Sequence, residues 1–163
     1  MHHVEHTVTV AAPVGVVWDV LHDISGYDRI FDATHGVEVL ESSATHQLVR
    51  LTVEVNKGVV HSWVTRRDID PDARVIAFQQ VAEKAPLVSH MGGEWRAFAR
   101  GDDHTQLVLT QDYAAREPVD GLVAGRFSPE ETEQVLHGVA QRNGAADLEC
   151  VKAESERRIA GRH

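Results

Sequence analysis

Hydrophobic positions recur at two different spacings along this chain, and the switches between them mark out its elements. From His3 to Ala11 every second residue (Val4, His6, Val8 and Val10) falls on one face, the alternation of a half-buried strand. After Pro13 the spacing becomes helical, with Val16, Val17, Val20 and Leu21 on one stripe and Trp18 beside it. Gly26 breaks that stripe ahead of a further turn or two over Tyr27–Phe31. Strand-like segments then follow at Val37–Glu41, Gln47–Val55, Val59–Asp68, Arg74–Val81, Gly93–Arg100 and Thr105–Ala114. Turn residues separate them: Asn56-Lys57-Gly58, Asp70-Pro71-Asp72 and Gly101-Asp102-Asp103. The last segment opens on Ser128-Pro129-Glu130-Glu131, a helix N-cap with proline at the first position and glutamate three residues after the cap. No proline interrupts it before Ile159, which predicts one helix of about 30 residues, roughly 45 Å long.

This order predicts an α+β helix-grip fold: a curved antiparallel sheet of six or seven strands wrapped around the long C-terminal helix. Short helices follow the first strand, and a curved sheet closed by one helix leaves an interior cavity. The 163 residues fit one domain over 1–163. With 16 Lys and Arg against 25 Asp and Glu, the net charge is −9, which argues against a nucleic-acid partner. No apolar run is long enough to span a membrane, and no secretory signal is visible, so the expected location is cytoplasmic. Cys150 is the single cysteine, which excludes an internal disulfide and a thiolate-rich zinc site. The histidines His2, His3 and His6 do not form a metal cluster, because alternation sends His3 and His6 to opposite faces.

Polar residues on apolar faces carry the candidate chemistry. One face of Val59–Asp68 bears Trp63, Thr65 and Arg67, which line a polar-aromatic pocket if that face points inward; the opposite register leaves Arg67 in water. Gln111 shares the more apolar face of its strand with Leu107, Leu109 and Tyr113, either as a satisfied structural amide or as a site residue. On the last helix Leu136, Val139, Asn143, Asp147 and Cys150 form one stripe, with Asp147 facing Arg67 directly or through water. A rotation by one residue would place Ala146 inward instead.

The segments His3–Pro13, Val17–Leu21, Ser62–Asp68, Gly93–Phe98, Thr105–Tyr113 and Arg142–Leu148 together resemble the single-domain aromatase/cyclases of bacterial type II polyketide pathways, within the Bet v 1-like or START-like superfamily. The resemblance implies an enzyme that takes a poly-β-keto chain from an acyl carrier protein, alongside the minimal polyketide synthase components. It would direct first-ring aldol closure and dehydrative aromatisation, without metal or redox cofactor, as a monomer or homodimer. It assigns catalysis to Arg67, Gln111 and Asp147, with glutamine standing where similar proteins often carry histidine. Trp63, Thr65, Phe78, His90, Met91, Trp95 and Asn143 are expected to line the wall, and Tyr27 and Phe31 the mouth. Arg66, Arg116 and Arg126 are candidates for a carrier-docking patch. Arg67→Ala is expected to abolish directed closure and leave the fold intact. The alternative is a non-catalytic carrier of hydrophobic ligands on the same fold.

Overall fold

The computed structural model describes residues 1–162, the side chain of Asn56 excepted. Seven antiparallel strands form one open sheet: β1 (His2–Val10), β2 (Thr34–Ser42), β3 (His46–Asn56), β4 (Val59–Asp70), β5 (Val75–Ala82), β6 (Val88–Arg100) and β7 (His104–Ala115), in the spatial order β1-β7-β6-β5-β4-β3-β2. Helix α1 (Val14–His22), a 3₁₀ turn (Ile24–Gly26) and α2 (Tyr27–Ile30) bridge β1 to β2, and α3 (Pro129–Ala160) closes the chain. The predicted helix-grip architecture is the one observed. α3 starts where the capping signal placed it: Glu131 donates its backbone N–H to the Ser128 hydroxyl, and the Glu131 carboxylate accepts from the Ser128 N–H.

The core lies between the concave face of the sheet and the helices. Val10, Val17, Val20, Leu21, Val49, Ile76, Leu107 and Val151 are fully buried there, each contributing about 1.5–3 kcal/mol through removal from water. α3 rests chiefly on β1, β7 and α1. Its buried line is Thr132, Leu136, Ala140, Gly144, Leu148, Val151 and Ser155. That corrects the predicted stripe. Asn143, Asp147 and Cys150 are half-buried on its flank, and Ala146 is exposed, so neither rotation expected from the sequence is the one adopted. The small residues Ala140 and Gly144 let the helix approach the strands closely, and periodicity weighted by hydrophobicity passes over them.

Strand β6 begins at Val88, five residues before the predicted start at Gly93. Gly92 and Gly93 both sit well inside the strand: a Cβ on Gly93 would fall 1.9 Å from the Thr110 carbonyl oxygen of β7. Gly93→Ala is therefore expected to cost more than about 3 kcal/mol, or to prevent folding, as read by chemical denaturation.

Candidate active site

One cross-strand row on the concave face organises the site. Reading across the sheet from β3 to the β1 edge, Gln47, Arg67, Phe78, Gly93, Gln111 and Val4 are successive partners across β3, β4, β5, β6, β7 and β1. Opposed residues in an antiparallel pair share a face, so Arg67 and Gln111 both point inward, with Phe78 between them and no side chain at Gly93. The structure thus settles the register of β4: Thr65 and Arg67 are buried at 5% and 3% exposure, and Trp63 is half-buried on the same face. Ile76, Trp95, Leu109 and His6 form the adjacent row.

The Arg67 guanidinium is held in a cage. Its Nη1 donates to Gln47 Oε1 at 2.5 Å and to the His22 carbonyl at 3.4 Å, and its Nη2 to the Leu21 carbonyl at 2.6 Å and the Tyr27 hydroxyl at 3.0 Å. The Tyr27 hydroxyl in turn donates to Leu21 O at 2.6 Å, and the guanidinium carbon lies 5.1 Å from the centre of the Tyr27 ring. Leu21 and His22 end α1, so Arg67 occupies the negative end of that helix dipole and satisfies its terminal carbonyls. A buried charge needs this many acceptors to offset its lost hydration. Of the two pairings expected with Asp147, direct or through water, the direct one is not formed: among the described residues, Arg67's acceptors are neutral oxygens. Gln47, which nothing in the sequence pattern singles out, supplies the shortest of them.

Asp147 stands on the flank of α3, with no ion pair among the described residues. Desolvation lifts its carboxyl from the usual carboxylate range to about 7. Its charge is felt at the Arg67 cage: burial pushes the Tyr27 phenol up, Arg67 opposes that rise, and the Asp147 charge adds to it. Both protonation states of Asp147 are thus populated at neutral pH. Cys150 is held up by burial and stays a packing thiol.

Gln111 is buried at 8% exposure, and its Oε1 has no hydrogen-bond partner. The Nε2 of His6 is likewise buried and unpartnered. Both atoms lie within 2.8 Å of the point where a Gly144 Cβ would sit. Alternation along β1 marks His6 as an inward residue. Gly144→Ala would gain about 1 kcal/mol from helix propensity alone. It is nonetheless expected to lower the melting temperature, because His6 and Gln111 must give way to the methyl group, and thermal unfolding decides the sign.

The residues expected in the wall divide between the two faces of the sheet. Phe78, Met91, Trp95 and Asn143 face the concave side or its helix edge. Tyr27 and Phe31 do not form a mouth: they are buried at 8% and 5% exposure, edge to face at 4.7 Å, with Phe31 6.2 Å from Trp95. His90 lies on the outer face, since it neighbours the inward Met91 and pairs with Ala114, one residue after the inward Tyr113. It borders an outer hollow of about 440 Å³ with His3, Glu94 and Asp112. A hollow of about 510 Å³ opens between α1 and β2 and reaches Gln47, beside the Arg67 cage. The inward residues Trp63, Phe78, Met91, Asn143 and Asp147 remain half-buried, which marks a groove between α3 and β4–β6 that solvent enters. Of the cations expected to form a docking patch, Arg66 pairs with Asp68, and Arg116 donates to the carbonyls of Lys84, Ala85 and Val88, which makes it a loop staple. Arg126 stacks on Phe127.

Comparison with known proteins places these features in context. The family model described as polyketide cyclase / dehydrase and lipid transport matches residues 10–140. The chain is 36% identical over 115 residues to the actinorhodin polyketide synthase bifunctional cyclase/dehydratase of Streptomyces coelicolor, covering 70% of this chain but only 35% of that relative's length. The crystal structure of the Zhui aromatase/cyclase from Streptomyces sp. R1128 superposes with a TM-score of 0.94 at 52% identity, over 97% of this chain and 95% of that one. A START superfamily protein from Mycobacterium smegmatis shares the fold, with a TM-score of 0.75 at 18% identity over 96% of this chain and 99% of that one. Among the described residues, no helix is long and apolar enough to cross a membrane.

Proposed function

We propose that this chain, which belongs to the polyketide cyclase / dehydrase and lipid transport family, is an aromatase/cyclase that closes and aromatises the first ring of a poly-β-keto chain. The observation that carries the reading is Asp147: a carboxyl with no ion pair among the described residues, lifted to about 7 by burial, whose charge is felt at the Tyr27 hydroxyl that helps cage Arg67. A carrier of apolar ligands has no use for such a group, whereas proton exchange at carbon requires one.

The chemistry follows from these positions. The Asp147 carboxylate removes a proton from a methylene flanked by two carbonyls, and the resulting enolate carbon attacks a carbonyl further along the folded chain. The new alkoxide takes the proton back from the Asp147 carboxylic acid, giving a β-hydroxy ketone. Loss of that hydroxyl as water, with a second α-proton, gives the double bond that leads to the aromatic ring. Arg67 lends a fixed positive field to the oxygen on which charge develops, and Gln111 offers hydrogen bonds to a substrate oxygen, fixed donors aimed at developing charge being worth about 3–4 kcal/mol. Phe78, Trp63 and Trp95 shape the groove and so select which carbons meet. The substrate is carried on an acyl carrier protein and supplied by the other components of a type II polyketide synthase. Function in the cytoplasm and a single catalytic domain over 1–163 complete the proposal.

The test is product analysis of a reconstituted minimal polyketide synthase, with and without this protein. One dominant first-ring regiochemistry in its presence is the expected result. A scatter of spontaneous products unchanged by its addition, across several chain lengths, would point to the carrier instead.

A further inference from the structure

We infer that His6 is a positioning residue of this site, holding Gln111 through its imidazole Nε2 so that the Gln111 amino group faces the groove. The contact rests on geometry alone; its consequence for product formation rests on the cyclase reading above.

His6 sits on β1 opposite Leu109, diagonal to Gln111 on the same concave face, under the part of α3 that packs on β1 and β7. Three buried side-chain atoms among the described residues have no partner, and two of them are His6 Nε2 and Gln111 Oε1. They converge on one place, each within 2.8 Å of the position a Gly144 Cβ would take. Buried polar atoms without partners are rare, and a neighbouring pair of them calls for a shared explanation.

A carboxamide oxygen only accepts, so its partner must donate. The neutral imidazole exists in two tautomers, and the one protonated at Nε2 supplies that donor. The bond is not formed in this structure, and rotation of either side chain to bring His6 Nε2 onto Gln111 Oε1 would satisfy both atoms at once. With the oxygen turned back toward β1 and α3, the amide nitrogen at the opposite corner of the carboxamide points along the row toward Gly93 and Arg67. Gln111 is then presented as a hydrogen-bond donor to a substrate oxygen. This division of labour leaves proton exchange to Asp147. Gly144 belongs to the same device, because any side chain there would drive the two groups apart. His6 stands at the sheet edge, behind Gln111 as seen from the groove, and so acts through it and not on the substrate.

The experiment has two parts, both on the full chain. Long-range ¹⁵N–¹H spectra of the wild-type imidazoles read the tautomer of His6, and the Gln111 side-chain amide is followed in His6→Ala. The expected result is a proton on Nε2 with Nδ1 bare, and a displaced Gln111 amide pair in the variant. A proton on Nδ1 alone, or an unmoved amide pair, would overturn the contact. In the reconstituted synthase, His6→Ala is expected to lower the yield of the directed product about threefold to tenfold. His6→Asn, which keeps an N–H donor, is expected to restore part of that yield, and His6→Ala to add nothing in a Gln111→Ala background. Additive losses in the double variant would overturn the positioning role. Where wild-type protein directs no product at all, the cyclase reading fails, and the tautomer still decides the contact.

Discussion

Arg67→Ala is expected to lose both directed ring closure and a large share of the protein's stability. The guanidinium donates to Gln47, His22 O, Leu21 O and the Tyr27 hydroxyl from a position only 3% exposed. Removing it takes a donor from Leu21 O, His22 O and Gln47 Oε1, with the Tyr27 hydroxyl left as donor to Leu21 O, and leaves a cavity beside Tyr27. Orphaned acceptors and lost packing together cost about 3–5 kcal/mol. At 163 residues that corresponds to a fall of about 10 °C in melting temperature. The cage therefore revises the expectation that the fold would survive this change untouched. Arg67→Lys keeps the charge but offers a point donor in place of a planar fork, so it is expected to recover some stability and little directed product. A variant with unchanged melting temperature would show that the cage does not hold α1. One with the wild-type product profile would remove Arg67 from the mechanism.

Asp147→Asn carries the second large effect, and its sign depends on pH. The carboxyl lies near 3.8 in the unfolded chain and about 7 in the folded one. Between those values the folded protein keeps a proton that the unfolded chain has released, so stability falls as pH rises through that window and levels off above it. A tenfold difference in proton affinity corresponds to about 1.4 kcal/mol, which puts the penalty above pH 7 on the order of 4 kcal/mol. Asparagine never ionises. The variant is expected to match the wild type near pH 4 and to exceed its stability at pH 8, as read by denaturant titration at both. A wild-type protein equally destabilised relative to the variant at pH 4 would contradict the raised carboxyl. Activity moves the opposite way: the stabler variant has no group to exchange the α-proton.

Most of the fold was legible because alternation and capping are local signals. The seven strands, the α1 stripe and the start of α3 follow from residues a few positions apart. The exceptions came from small residues. Gly92 and Gly93 disguised the first half of β6, and Ala140 and Gly144 hid the true buried line of α3. The site was legible by residue type and less so by partner. Arg67, Gln111 and Asp147 stood out as polar groups on apolar faces, and the cross-strand row joins the first two. The row extends across six strands, so nothing in the neighbourhood of Arg67 in sequence announces Gln47, or the α1 carbonyls that occupy the guanidinium in place of Asp147. His90 and Met91 cannot both belong to the wall, because adjacent strand residues face opposite ways, and only Met91 faces in.

The claim at the centre of this account is that Asp147 performs proton exchange on a bound chain. The measurement that reaches it most directly is the product profile of the reconstituted synthase with Asp147→Asn in place of the wild-type protein, at a pH where both are folded. The variant is expected to give the scatter of spontaneous products while the wild type gives one regiochemistry. A variant that still directs that same product would contradict it, leaving a groove that orders the chain without doing chemistry on it.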